Sequence, residues 1–228
     1  MKCRTTEKRR QIAETHKVIP IMHMKVLPGQ TKKESDAGGF IKENGDYYIF
    51  NVINKKTGKL DHIICGIKSA NELIKFANRE ELELFNPFRS FNNGNQNINQ
   101  AFTNNTGKHR KVKKWDKEAK ELDKAIRWIF MLLDKVNTDS PLFENFQSIN
   151  KYSYHSPFDR EIKAVNTIIY NLFGQSLKKE IKDHLGKNIS KLKPGALDFN
   201  LLKKRYETII LNSKKQNKKQ IINPQSFE

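Results

Sequence analysis

Residues 91–107, FNNGNQNINQAFTNNTG, carry no charged side chain and are dominated by Asn and Gln. They separate two stretches whose hydrophobic residues repeat with different periods. A segment of this composition offers little to bury and reads as a linker or long loop. The chain is therefore expected to hold an α+β domain over 1–90, an Asn-rich linker with a basic end over 91–112, a helical domain over 113–212 and a basic flexible tail over 213–228. In fold class this is α+β: a small antiparallel meander sheet with a packed helix, followed by an all-α helical bundle.

Before the break the signals are mixed. Residues 6–17 suit a short helix, and 18–27 are β-rich up to the turn signal Pro28-Gly29. Gly38 to Ile41 suit the start of a strand turning at Asn44-Gly45. The clearest unit is 47–54 (YYIFNVIN) and 60–65 (LDHIIC), two strands flanking the Gly-containing turn Lys55-Lys56-Thr57-Gly58. Alternation places Tyr48, Phe50 and Val52 on one face. Gly66 then breaks the strand. Ser69 with Glu72 three residues on is a capping-box signal for a helix carrying Leu73, Ile74, Phe76 and Ala77.

After the break the period is helical. Trp115, Ala119, Leu122, Ile126, Ile129, Leu133 and Val136 recur at three- and four-residue spacing, and the helix is expected to stop near 138–141. Ser156-Pro157-Phe158-Asp159 is a second start signal, followed by Ile162, Val165, Ile169 and Leu172 up to Gly174. Ser176 opens a shorter helix with Leu177, Ile181 and Leu185, closed by Gly186. Asp198 opens a last one carrying Leu201, Leu202, Tyr206, Ile209 and Ile210.

Charge narrows the function. Lys and Arg number 43 against 25 Asp and Glu, a net charge of +18. Codon bias towards AT-rich triplets accounts for abundant Lys, Asn and Ile better than for this imbalance, which fits neutralisation of a polyanion. By segment the excess is +6 over 1–90, +3 over 91–112 and +9 over 113–228. No run approaches the ~20 apolar residues of a membrane span, so no membrane partner is expected. The basic N-terminus lacks the apolar stretch of a signal peptide, and two cysteines, Cys3 and Cys65, suit a reducing compartment. A cytoplasmic location is expected.

The run 108–114 (KHRKVKK) supplies Lys108, Arg110, Lys111, Lys113 and Lys114 ahead of the first long helix. A cationic run at a helix N-terminus opposes the macrodipole, which favours a functional reason for it. Lysines make point-charge contacts, so they suit backbone binding with little base reading. Trp115 beside them is either a base-stacking residue or the first core residue of its helix. Lys203, Lys204 and Arg205, with further lysines to residue 219, form a second candidate phosphate contact or a solubilising tail. The partner expected is nucleic acid, DNA ahead of RNA, with an acidic protein as the alternative. No metal site is expected: His62 and Cys65, the only close His/Cys pair, point to opposite faces of a regular strand. Cys65 reads instead as a small buried apolar residue.

One resemblance bears on catalysis. Gly45-Asp46-Tyr47, then Asn54-Lys55-Lys56-Thr57-Gly58-Lys59, then Ile64-Cys65-Gly66 and a helix containing Arg79 resemble the GIY-YIG nuclease core over about 35 residues. The resemblance implies a metal-dependent nuclease using Tyr47, Arg79 and an acid such as Glu80 or Glu83, with Mg²⁺ as cofactor. The interval between the glycines is longer than in that family, and Ile64 stands where the second tyrosine belongs. Outside this reading neither a cofactor nor a catalytic site is expected.

Overall fold

The computed structural model describes residues 1–89, 114–215 and 223–227, without side-chain detail at 214 and 215. Its elements run α1 (Thr6–Thr15), β1 (His16–Lys25), β2 (Asp46–Asn54), β3 (Leu60–Gly66), α2 (Ile67–Phe76), α3 (Lys117–Leu132), α4 (Pro141–Lys151), α5 (Asp159–Phe173), α6 (Leu177–Leu185), a 3-10 turn (Gly186–Lys191) and α7 (Asn200–Lys215). The fold is mixed α+β, with a three-stranded antiparallel meander in the order β1-β2-β3.

Alternation along β2 builds two interiors. Tyr48, Phe50 and Val52 pack with Ile63 and Cys65 of β3 against Ile12 of α1 and Leu73 and Ile74 of α2. Tyr47 and Ile49 face the other way, onto the helices after the Asn-rich segment. β1 serves both faces through one irregularity. Val18 pairs with Val52 and belongs to the α1–α2 side, whereas Met22 and Met24 pair with Ile49 and Tyr47 and belong to the helical side. These residues share even numbers, so an unbroken strand would put all three on one face. The register shifts between Pro20 and Met22, where proline has no N–H for the ladder, and the extra residue flips the remainder of the strand.

The core does not divide at the Asn-rich segment. One buried cluster joins Met22, Met24, Tyr47 and Ile49 to Trp128, Phe130, Phe143, Phe146, Ile162 and Phe227. Polar staples cross the same junction. The Lys33 amine donates to the Phe130 and Leu133 carbonyls at the end of α3, at 2.8 and 2.5 Å. Arg89 Nε donates to the Leu192 carbonyl, and Phe88 bridges to Leu192. The expected linker, 91–112, lies outside the described residues.

Several local expectations shift. α2 starts at Ile67, two residues before Ser69, with Gly66 at its N-cap and no side-chain cap; the Glu72 carboxylate is taken by Arg9 at 2.9 Å. Residues 38–41 form a single bridge, Glu34 to Phe40, instead of a strand. α3 ends at Leu132, and a helix not read from the sequence follows. Ser140 caps α4 and Pro141 opens it, so the residues taken as a stop are also a start. α5 begins at Asp159: the Ser156 hydroxyl donates to Glu118 of α3 instead of capping, and Glu161 accepts from the Phe158 N–H. The C-terminal residues return to the core. Phe227 is 2% exposed, Ser226 N–H donates to Asn166 Oδ1, and the Tyr206 hydroxyl donates to the Asn223 carbonyl. The expected flexible tail thus ends in a docked segment, because Asn166, fully buried in α5, takes its partners from it.

Candidate nucleic-acid interface

α6 separates its charges by helical geometry. Leu177, Ile181 and Leu185 are buried at four-residue spacing. At 3.6 residues per turn, Lys178, Lys179 and Lys182 then fall on one flank of that stripe, and Glu180 and Asp183 on the other. The Gln175 side chain holds the acidic flank, donating to Glu180 at 2.6 Å and Asp183 at 3.2 Å. The basic flank is exposed. Among the described residues none of its three amines has a carboxylate within ion-pair distance. Ser176 fixes the start of the helix, its hydroxyl accepting from the Lys179 N–H.

That flank lines two adjoining hollows of about 380 and 580 Å³, which share Lys178, Lys182, Leu197 and Asn200. The first adds Lys179, Lys203 of α7 and the ring of Phe227. The second adds Arg89 and Lys193, and Asp198 is the sole carboxylate in its wall among the described residues. Asp198 is occupied at the start of α7, where its carboxylate accepts from the Asn200 N–H. The loop behind the cleft is fixed from α3: Trp128 Nε1 donates to the Ala196 carbonyl at 3.0 Å, and the Lys124 amine donates to the carbonyls of Gly195 and Asp198. Burial pushes the Lys124 amine below its ordinary value. The cleft is thus a floor held by hydrogen bonds from α3, with cations along its rim.

The sequence candidates separate in space. Lys108, Arg110, Lys111 and Lys113 lie outside the described residues. Lys114 is exposed just ahead of α3, while Trp115 is half-buried and packs against the core. Lys203 reaches the cleft; Lys204 is exposed on the same helix and lines neither hollow. Arg205 pairs with Asp159 at the start of α5, at 2.8 Å. Sequence reasoning missed Lys178, Lys179 and Lys182, whose signal was three lysines on one flank of a short amphipathic helix.

The residues implied by the nuclease resemblance do not converge. Tyr47 is fully buried on the helical side of the sheet, with its hydroxyl 4.0 Å from Met24 Sδ and the Lys33 amine over its ring. Burial raises its phenol well above the ordinary range. Arg79 lies past the end of α2 and donates to the Val18 carbonyl, on the α1–α2 side; Glu80 is exposed beside it. His62 and Cys65 do point to opposite faces: His62 lies edge-on to Phe143, and Cys65 is buried in the α1–α2 cluster with Cys3. Among the described residues no group of three or more His, Cys, Asp and Glu is placed to hold a metal ion, and no helix is long and apolar enough to cross a membrane. No protein-family model, curated protein or solved structure matches the chain.

Proposed function

We propose that the chain is a cytoplasmic nucleic-acid-binding protein that grips the phosphate backbone through the lysine-lined cleft between α6 and α7. The observation that carries this reading is the convergence of Lys178, Lys179, Lys182 and Lys203 on one hollow whose lining, among the described residues, contains no carboxylate. Ammonium groups in that setting gain by displacing condensed counterions from a phosphate chain. As point charges on flexible stems they follow a backbone and read bases poorly. Lys203 ties the cleft to the basic cluster at the start of α7.

Filter-binding titrations on duplex DNA, single-stranded DNA and RNA, repeated across salt, test the reading. Binding to at least one of them at about 50 mM salt is expected, weakening steeply as salt rises. Lys178→Glu with Lys182→Glu is expected to weaken it by at least about tenfold, since each reversal replaces attraction by repulsion at a phosphate. Absence of binding to all three at low salt would remove the proposal. Retention of a protein partner from nuclease-treated lysate, with no nucleic-acid affinity, would point to an acidic protein instead.

A further inference from the structure

The connection between α4 and α5 exposes three aromatic rings within seven residues: Tyr152, Tyr154 and Phe158, at 40%, 39% and 53%. Single exposed rings are ordinary on a protein surface, but a group of them on one short connection calls for an explanation. Each has a cationic or ring neighbour. The Lys151 amine lies 5.1 Å from the centre of the Tyr152 ring, the Arg160 guanidinium 5.3 Å from that of Phe158, and the His155 ring 4.3 Å from that of Tyr154.

The connection is anchored while its rings stay at the surface. The Asp116 N–H donates to the Ser153 carbonyl, the Ser156 hydroxyl donates to Glu118, and Pro157 is buried. Those anchors seat it against the start of α3, directly after Lys114, where the basic run of the sequence ends. The nearby carboxylates are engaged internally: Asp159 with Arg205, Glu118 with Ser156, Glu161 with Ser148 and the Phe158 N–H. Arg205 belongs to the same helical turn as Lys203, so one turn of α7 touches both the cleft and this connection.

We infer that residues 151–160 form a stacking platform for the bases of a single-stranded nucleic acid. This inference rests on the proposed backbone grip and adds to it the class of strand. Base pairs in a duplex present their faces only to one another, so rings displayed at a surface reach bases only when the strand is single. Stacking on aromatic side chains is tolerant of sequence because every base has a π-face. Lys151, Arg160 and Lys114 supply the positive charge that the adjoining phosphates require.

The test measures the affinity of the full chain for a twenty-nucleotide oligothymidylate, an abasic strand of the same length and a duplex of the same length. The wild-type chain is expected to bind oligothymidylate about tenfold or more tighter than the abasic strand. In Tyr152→Ala/Tyr154→Ala/Phe158→Ala that preference disappears, while abasic-strand binding stays within about twofold. Tyr152→Phe/Tyr154→Phe, which keeps every ring, retains the preference, as does Phe40→Ala, which removes an exposed ring elsewhere. A wild-type chain that binds the two strands equally, or a triple variant that still prefers bases, overturns the inference and leaves the backbone grip standing. Absence of binding to all three ligands, and to an RNA strand of the same length, overturns both.

Discussion

Two hollows in this molecule use their cations in opposite ways. The one between the N-terminus and the end of α3, about 250 Å³, is lined by Lys2, Lys33, Glu34, Asp36, Asp61 and Asp134 among others. There almost every cation meets a carboxylate or carbonyl. The N-terminal ammonium lies 3.5 Å from Asp61, Lys2 3.3 Å from Asp36 and Lys135 3.5 Å from Glu34, and Lys33 holds the two carbonyls that close α3. In the α6–α7 cleft the Lys178, Lys179 and Lys182 amines face solvent without such partners among the described residues. The net charge therefore says little by itself. What marks the cleft is that Lys178, Lys179 and Lys182 lack, among the described residues, the internal neutralisation that the first hollow possesses.

Substitutions that exchange the properties of the two regions sharpen the contrast, beginning with the largest effect. Phe227→Ala removes a buried ring from the cleft floor and leaves a cavity, at an expected cost of about 3–4 kcal/mol in urea unfolding. The same variant is expected to lose binding, because the docked segment that carries Phe227 shapes the rim.

Lys33 comes next. Burial pushes its amine down to about 7, with Asp134 opposing, whereas the unfolded chain keeps an ordinary lysine near 10.5. Between those values the unfolded state binds the extra proton. The penalty for burying the ammonium is thus fully present below about 7 and is relieved as pH rises towards 10.5. Compared with Lys33→Met, the wild-type chain is expected to gain up to about 1.4 kcal/mol of stability per pH unit between pH 7 and 9. A gap that stays constant with pH would mean that Lys33 enters the fold charged and as well solvated as on the surface.

Ser176→Ala removes the cap of α6 and is expected to cost about 1 kcal/mol. Lys135→Ala breaks an exposed pair with Glu34 and is expected to change stability by less than about 0.5 kcal/mol. Thermal melts and urea titrations read both.

Local chemistry made much of the fold legible. The hairpin around Gly58, the stop at Gly174 and the Ser176 cap each follow from a residue whose conformation or side chain permits little else: Gly174 sits at φ +64, and Ser176 bonds the Lys179 N–H. α4 was hidden because Ser140-Pro141 serves as the end of one pattern and the start of another. The bulge at Pro20 was hidden because proline permits a register shift without requiring one, and only the partner strand decides. The shared core escaped the sequence for a different reason. Met22 and Phe227 lie at opposite ends of the chain, and no local period reports contacts of that range. The cleft is the hardest feature of all to read locally. Its lysines come from α6 and α7, and the lack of acidic partners for Lys178, Lys179 and Lys182 among the described residues is a property of the assembled surface.

The salt dependence of single-strand affinity in the wild-type chain and in Lys178→Gln/Lys182→Gln measures the role of the cleft most directly. If Lys178, Lys179, Lys182 and Lys203 each neutralise one phosphate, the wild-type log–log slope is expected near about −3, and the double variant near about half of that. Its unfolding midpoint is expected to stay unchanged, since neither amine has an internal partner among the described residues to lose. A wild-type slope near zero, or a double variant with the wild-type slope and affinity, would contradict the assignment of the cleft as the phosphate-binding surface.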